Sequence, residues 1–167
     1  MIRAALPADL PLLPAVERSA AALLRGTRME WVADGPTIPP AMLEEAAADG
    51  LVWVAWRAEA GVVGFLLASR LGQEMFIEEL SVAGEHQRHG FGRSLLKHAV
   101  RWAREAGLSS VCLTTDHDLP WNAPFYASAG FVVVDESSLG QTLRRRLAQE
   151  AAHGHNPDWR CAMRLRF

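Results

Sequence analysis

The chain has 167 residues, half of them apolar and 22% charged, which suits one globular domain with a single core and leaves too little chain for two ordinary ones. A net charge of −2 excludes the overall basic field of a nucleic-acid binder, and no apolar run approaches the ~20 residues of a membrane-spanning helix. The first seven residues lack the apolar stretch and cleavage pattern of a signal peptide, so a cytoplasmic location is expected, with Cys112 and Cys161 as two buried, reduced thiols.

In chain order, residues 2–6 read as a short strand. Asp9 is placed to cap a helix starting near Leu10 and Pro11, with Leu13, Val16, Ala20 and Leu24 at helical spacing. Gly26, Gly35, Pro36, Pro39 and Pro40 make residues 25–40 irregular, and residues 41–49 read as a helix closed by Gly50. Three strands follow, at 51–57, 62–71 and 75–83; the short turns between them predict an antiparallel meander. A glycine-containing loop then enters an amphipathic helix at about 90–106. Phe91, Leu95, Ala99, Trp102, Ala103 and Ala106 form its inward face, while Arg93, Lys97, Arg101 and Arg104 face water. Residues 108–115 read as a strand, 122–129 as a helix, 131–136 as a strand, 139–152 as a polar helix and 159–167 as a last strand. A meander joined to one β-α-β crossover gives an α+β class with a central mixed, mostly antiparallel sheet flanked by helices.

The most informative segment is Gln87-Arg88-His89-Gly90-Phe91-Gly92-Arg93-Ser94, where a strand ending in Leu80, Ser81 and Val82 bends into a helix. The first N–H groups of that helix point into the bend, and the helix dipole places partial positive charge there. Glycine lets backbone approach phosphate oxygens, and Arg88 and Arg93 add cationic donors. The chemistry indicated is binding of a dianionic phosphate group; on the glycines alone, a plain glycine-rich turn before a helix is the equal alternative. A nucleoside-triphosphate loop is excluded because Gly-Lys-Ser/Thr is missing. A dinucleotide fingerprint is disfavoured because Leu95 occupies the place of its third glycine.

Gln87-Arg88-His89-Gly90-Phe91-Gly92 resembles the Gln/Arg-x-x-Gly-x-Gly/Ala loop of the GNAT acetyltransferases and begins five residues after Val82, where that family places it. The stretch Asn122-Ala123-Pro124-Phe125-Tyr126-Ala127-Ser128-Ala129-Gly130-Phe131 is similar to the family's Asn…Tyr…Gly-Phe segment, and residues 160–164 resemble the final strand of many small members. The resemblance implies a GNAT fold across residues 1–167 as a single domain, with a V-shaped splay between the fourth and fifth strands that receives acetyl-CoA. It implies an N-acetyltransferase that moves acetyl from acetyl-CoA, as co-substrate and without a metal, to a primary amine of a small molecule or peptide. The alternative is a GNAT-like module that senses acyl-CoA without turnover; the presence of Tyr126 and Glu78 favours the enzyme.

Carried over residue by residue, Leu80 and Val82 would pair with the pantetheine amides. Amides from Gln87 to Gly92 would hold the diphosphate, with Ser81, Arg88, His89, Phe91, Arg93 and Ser94 nearby, and Asn122 and Phe125 would meet the cofactor arm. Asn122 also suits the N-cap of the helix that follows it. Tyr126 would donate a proton to the departing thiolate, or else simply pack beside Phe125 and Phe131.

The acceptor must present a neutral nitrogen. For an amine of pKa ~10.4, deprotonation at pH 7 costs about 4.6 kcal/mol, and a partly desolvated carboxylate is the usual agent. Glu78 and Glu79 sit in an apolar strand and point to opposite faces, so one should face the cleft. Glu78 is the first choice as base and Glu79 the second; two surface carboxylates with no chemical role, and no dedicated base, are the alternatives.

Other features invite plainer readings. Asp116-His117-Asp118 reads as a solvated loop, since three consecutive residues rarely converge on one ion. Arg144, Arg145 and Arg146 read as the water face of a helix. Glu30, Asp34, Glu44, Glu45 and Asp49 make the acceptor side acidic, and Trp31 and Trp121 lie in loops that would line it. Exposed sheet edges are compatible with a homodimer. Sixteen of the 17 basic residues are arginine, a coding bias that reads as bacterial.

Overall fold

The β-branched and aromatic runs expected at 51–57, 62–71 and 75–83 become neighbouring strands of a seven-stranded sheet. The structure is a computed structural model that describes all 167 residues. Its strands are β1 (Ile2–Ala4), β2 (Val52–Arg57), β3 (Gly61–Leu71), β4 (Glu74–Val82), β5 (Ser110–Asp116), β6 (Val132–Val133) and β7 (Arg160–Arg166). Its helices are α1 (Leu13–Ala21), α2 (Glu30–Ala33), α3 (Pro40–Ala48), α4 (Phe91–Glu105), α5 (Ala123–Ala127) and α6 (Gln141–Ala152). Strand order is β1-β2-β3-β4-β5-β7-β6. The β1–β2, β2–β3, β5–β7 and β6–β7 pairs are antiparallel. One parallel pair, β4–β5, is registered at Glu74↔Ser110, Met75↔Val111 and Phe76↔Cys112. A parallel pair needs a long crossover, and α4 supplies it. The mixed, mostly antiparallel sheet flanked by helices is therefore as expected.

The chain divides into two compact units, Met1–Ser69 with Ile77–Trp102, and Arg70–Phe76 with Ala103–Phe167. In the first, Leu13 and Val16 of α1 and Leu43 of α3 pack on Val52, Val54, Phe65 and Leu67 of the sheet. Leu95, Leu96 and Ala99 of α4 are also buried, and Trp102 meets Trp53 edge-on at 5.6 Å. In the second, Phe76, Cys112, Leu143 and Ala162 form the core.

Several local expectations are corrected. Asp9 does not cap a helix: its carboxylate accepts the Leu6 N–H at 2.7 Å and the forked Arg3 guanidinium, whose charge holds it below the usual carboxylate range. Residues 10–12 form a 3-10 turn, and α1 starts only at Leu13. A short helix, α2, lies inside the stretch read as irregular. The strand expected at 131–136 shrinks to two residues, because the chain turns away at Glu136–Ser138. Ala106 falls beyond the end of α4 and is exposed. Cys161 is only half-buried; it and Cys112 are free and face different partners across β5 and β7.

One irregularity controls where β4 ends. Between β2 and β3 the register runs Ala55↔Gly64 and then Trp56↔Val62, leaving Val63 as the extra residue of a bulge. The Val63 carbonyl accepts the Ala83 N–H at 2.9 Å. A Cβ at Gly64 would lie 2.9 Å from the Ser81 carbonyl oxygen and 3.1 Å from Val82 Cγ2, so only glycine lets β4 close in here. Gly64→Ala is expected to destabilise the chain by about 1–3 kcal/mol in urea denaturation, with the ends of β3 and β4 the first amides to lose hydrogen-exchange protection.

Candidate functional site

Beyond Val82 the chain makes a short 3-10 turn, Gly84–His86, and then the bend into α4. Two hydrogen bonds hold the bend from its base. The Gln87 carboxamide donates back to the Val82 carbonyl at 2.9 Å, and the Gly84 N–H donates to the Ser19 hydroxyl of α1 at 2.9 Å. Within the bend, Gly90 has φ 83°, and Arg88 has φ 63°, the one positive φ among non-glycine residues. A left-handed arginine costs roughly 1–2 kcal/mol and persists only where the surroundings over-determine it. No sequence signal marks Arg88 for this conformation.

In α4 the Ser94 N–H bonds to the Gly90 carbonyl at 3.0 Å. The amides of Phe91 and Gly92 come before that rung and have no acceptor within the helix. Arg88, His89, Gly90, Arg93 and Ser94 are exposed, while Gln87, Phe91 and Gly92 are half-buried. A Cβ at Gly90 would meet nothing within 4 Å, so the backbone lies open. Open amides, the positive end of a helix dipole and two arginines fit a diphosphate.

At the end of β4, Glu79 and Ser81 share one face and Glu78 takes the other. The Ser81 hydroxyl donates to Glu79 Oε1 at 2.6 Å, and the Ser69 hydroxyl of β3 donates to Glu78 Oε1 at 2.7 Å. Although Glu79 as a residue keeps some surface, its carboxyl is enclosed by protein. Burial raises its pKa, opposed by the Ser81 hydroxyl and the Leu80 N–H. Of the two glutamates read as candidate bases, Glu79 is the one whose carboxyl burial draws toward its protonated form. The chain itself uses backbone groups assigned to a pantetheine, since the Val82 carbonyl accepts from Gln87 and the Leu80 amide favours the Glu79 carboxylate.

The sequence missed Glu17. It sits half-buried on α1 and accepts the Ile38 N–H on Oε2 at 2.9 Å. Its pKa is raised to about 7, chiefly by burial, with the Glu79 charge adding and the Ile38 amide and Arg18 opposing. Nothing in a helical pattern signals that a glutamate on α1 will feel one on β4. The carboxylates of Glu30, Asp34, Glu44, Glu45 and Asp49 lie on exposed residues, and Asp34 is paired with Arg25 at 2.7 Å. They are solvated surface charges.

In the second unit, Asn122 occupies the N-cap position of α5, as read, but its side chain makes no capping hydrogen bond. Tyr126 is half-buried and edge-on to Phe125 at 5.1 Å and to Phe131 at 5.8 Å. Those ring contacts fix its orientation. The Trp121 Nε1–H is buried without a hydrogen-bond partner, and Trp31 is exposed on α2. Asp116 is fully buried and accepts the Asp118 and Leu119 amides at 2.9 and 3.0 Å. His117 bonds to the Asp158 carbonyl at 2.6 Å; His117 and Asp118 are exposed, as a solvated loop requires, and only Asp116 departs from that reading. Arg146 lies 4.3 Å over the Phe76 ring, so it is not on the water face.

A family model described as "Acetyltransferase (GNAT) family" matches residues 20–131. Streptothricin acetyltransferase from Streptomyces lavendulae is 32% identical over 111 residues, covering 64% of this chain and 56% of the relative. The chain thus spans little more than half the length of that curated relative. N-acetylglutamate synthase from Neisseria gonorrhoeae, solved with coenzyme A and N-acetyl-glutamate, superposes with a TM-score of 0.73 at 21% identity, over 99% of this chain and 34% of that one. Ribosomal-protein-alanine N-acetyltransferase from Brucella melitensis superposes with a TM-score of 0.71 at 22% identity, over 100% of this chain and 99% of that one. At such identities the two structural likenesses speak for the fold alone.

The raised pKa of Glu17 has a defined stability consequence. The folded chain holds this proton more tightly than the unfolded chain, so the contribution is fully present below about pH 4.5 and is lost as pH rises through about 7. Glu17→Gln retains an acceptor for Ile38 while removing the charge. It is expected to be about 1 kcal/mol more stable than the parent at pH 8, after allowance for solvent screening of a half-buried group, and level with it at pH 4. Denaturant midpoints at the two pH values check this.

Proposed function

This chain belongs to the GNAT acetyltransferase family, and from that premise we propose that its 167 residues act as a single domain transferring acetyl from acetyl-CoA to the primary amine of a small molecule or peptide. The supporting observation is the bend at residues 87–94, where Arg88 is held left-handed and the backbone at Gly90, just before α4, lies open. Bound acetyl-CoA would supply an activated acyl carbon and a thiolate leaving group. The amides from Gln87 to Gly92, with Arg88, Arg93 and Ser94, hold the diphosphate, and His89 and Phe91 border it. Backbone groups of Leu80, Ser81 and Val82 align the pantetheine, exchanging the Gln87 and Glu79 contacts described above, and Asn122 and Phe125 contact the cofactor arm.

Glu79 takes the proton from the incoming ammonium in preference to Glu78, because burial already favours its protonated form. A backbone N–H near Val82 steadies the oxyanion, and the Tyr126 hydroxyl protonates the departing sulfur. The arginine-rich composition suits a bacterial source, and the free thiols of Cys112 and Cys161 suit a cytoplasmic location. Val132 and Val133, 66% and 54% exposed on the edge strand β6, suit a homodimer.

Saturating coenzyme A, at ~100 times its dissociation constant, is expected to stabilise the chain by about 2.7 kcal/mol, and NAD should not. Arg88→Gly should make the free chain about 0.5–1 kcal/mol more stable by relieving backbone strain, yet bind coenzyme A about tenfold more weakly through loss of a charge-assisted donor. Unchanged affinity would remove Arg88 from the site. Thiol release should be followed with streptothricin, L-glutamate and an alanine-terminated peptide as acceptors. With whichever amine turns over, Tyr126→Phe is expected to lower kcat about 100-fold while leaving coenzyme A affinity within a factor of two. Binding without turnover on a wider amine panel would instead identify an acyl-CoA sensor.

A further inference from the structure

We propose that His117 is a positioning residue for the acetyl transfer: its ring, held as an imidazolium, ties the loop at residues 116–122 to the segment before β7 and so sets Asn122 and Tyr126. The role of Tyr126 proposed above is its premise.

The contacts of the ring decide its charge. His117 Nδ1 lies 2.6 Å from Asp118 Oδ1, and Nε2 lies 2.6 Å from the Asp158 carbonyl oxygen. A carboxylate and a carbonyl only accept, so both ring nitrogens must donate. Neutral imidazole carries one N–H, and either tautomer would set lone pair against lone pair at one of these contacts. Only the imidazolium satisfies both. The titratable groups facing the ring are Asp116 from β5 and Asp118 from its own loop, while the segment before β7 meets it with a carbonyl. The bond to that carbonyl raises the pKa of His117 above its ordinary 6.5, burial opposes the rise, and Asp118 and Asp116 add to it.

The register of β5 and β7 runs as far as Asp116↔Arg160. Past it, the His117 N–H donates to the Trp159 carbonyl at 2.9 Å and the ring to that of Asp158, so one residue fastens the departing loop to the turn Pro157–Trp159. From there the order passes along the chain. Asp116 holds the Asp118 and Leu119 amides, the Leu119 carbonyl accepts the Asn122 N–H at 2.9 Å, and the Asn122 carbonyl accepts the Tyr126 N–H at 3.2 Å. The same loop buries the Trp121 Nε1–H without an acceptor, an unfavourable placement that lasts only while other contacts hold the loop. His117 and Asp118 are exposed, so their ion pair alone adds little; the weight lies in the second bond of the ring, to a backbone carbonyl. A group whose pKa is raised by folding holds its proton more tightly in the folded chain. The clip is therefore complete below about pH 6.5 and is lost as pH rises through the raised value.

The test is nitrogen-15 NMR of the full chain labelled at histidine and tryptophan, titrated from about pH 5.5 to about pH 9, with His117→Gln and Trp121→Phe assigning the signals. Both ring nitrogens of His117 should be protonated below one midpoint that lies above 6.5, and the Trp121 indole signal should shift with that midpoint. Asp118→Asn keeps an acceptor but removes its charge, and should lower the midpoint by about half a pH unit or more. A midpoint at or below 6.5, one indifferent to Asp118→Asn, or an indole signal that does not follow the ring overturns the proposal. Turnover is then measured with whichever amine is acetylated. The ratio of parent to His117→Gln kcat cancels ionisation of the acceptor and of its base. That ratio should be about tenfold at about pH 6 and near one at about pH 9, because neither glutamine nor the neutral ring can donate to both acceptors. A ratio independent of pH, the mark of a merely structural role, overturns the inference alone. Absence of turnover with every amine overturns the proposed reaction and takes the inference with it.

Discussion

The amides at the start of α4 are the constraint around which the first unit is arranged. A helix cannot satisfy its own first N–H groups, and here the backbone at Gly90, where the bend enters the helix, lies open. The chain spends other groups on holding the bend in shape: Gln87 on the Val82 carbonyl, Ser19 on the Gly84 amide, and a left-handed Arg88. Gly64 and the bulge at Val63 complete the arrangement by letting β4 finish close against β3. Local strain and a missing Cβ are thus placed where a ligand's charge can compensate for them.

The carboxylates follow from the same strand. Side chains alternate along β4, so Glu78 and Glu79 must part, and Glu79 shares its face with Ser81, whose hydroxyl it accepts. Glu78 meets the hydroxyl of Ser69, while the Glu79 carboxyl is withdrawn from water. Two neighbouring residues of identical chemistry thus meet different surroundings, set by what lies across from each. The helix that supplies Glu17 is held by core packing of Leu13 and Val16.

Elements of strong periodicity were legible from the residues. The meander, the crossover helix with buried Leu95 and Ala99, and the glycine bend all lie close to where the pattern placed them. Elements whose ends depend on distant partners were not. Asp9 carries the residue type of a helix cap, but the Arg3 guanidinium on β1 outbids the helix amides for its oxygens. Asp116 reads as a loop residue, but it is buried because two amides of the following turn converge on it. The strand after Gly130 carries three consecutive valines, and only two of its residues join the sheet because the next turn leaves it at Glu136.

By itself the amino-acid order determined the alternation of elements, the class of sheet, and a strand-to-helix bend able to bind an anion. Each is set by neighbours a few residues apart, where periodicity and glycine act directly. Only the tertiary structure decided that Arg88 would be left-handed, that the Glu79 carboxyl would be buried, and that Glu17 would hold the Ile38 amide. Those outcomes depend on charge, burial and hydrogen bonds between residues far apart in the chain, such as Glu17 with Ile38 and Ser19 with Gly84, and no local pattern encodes which distant group will arrive.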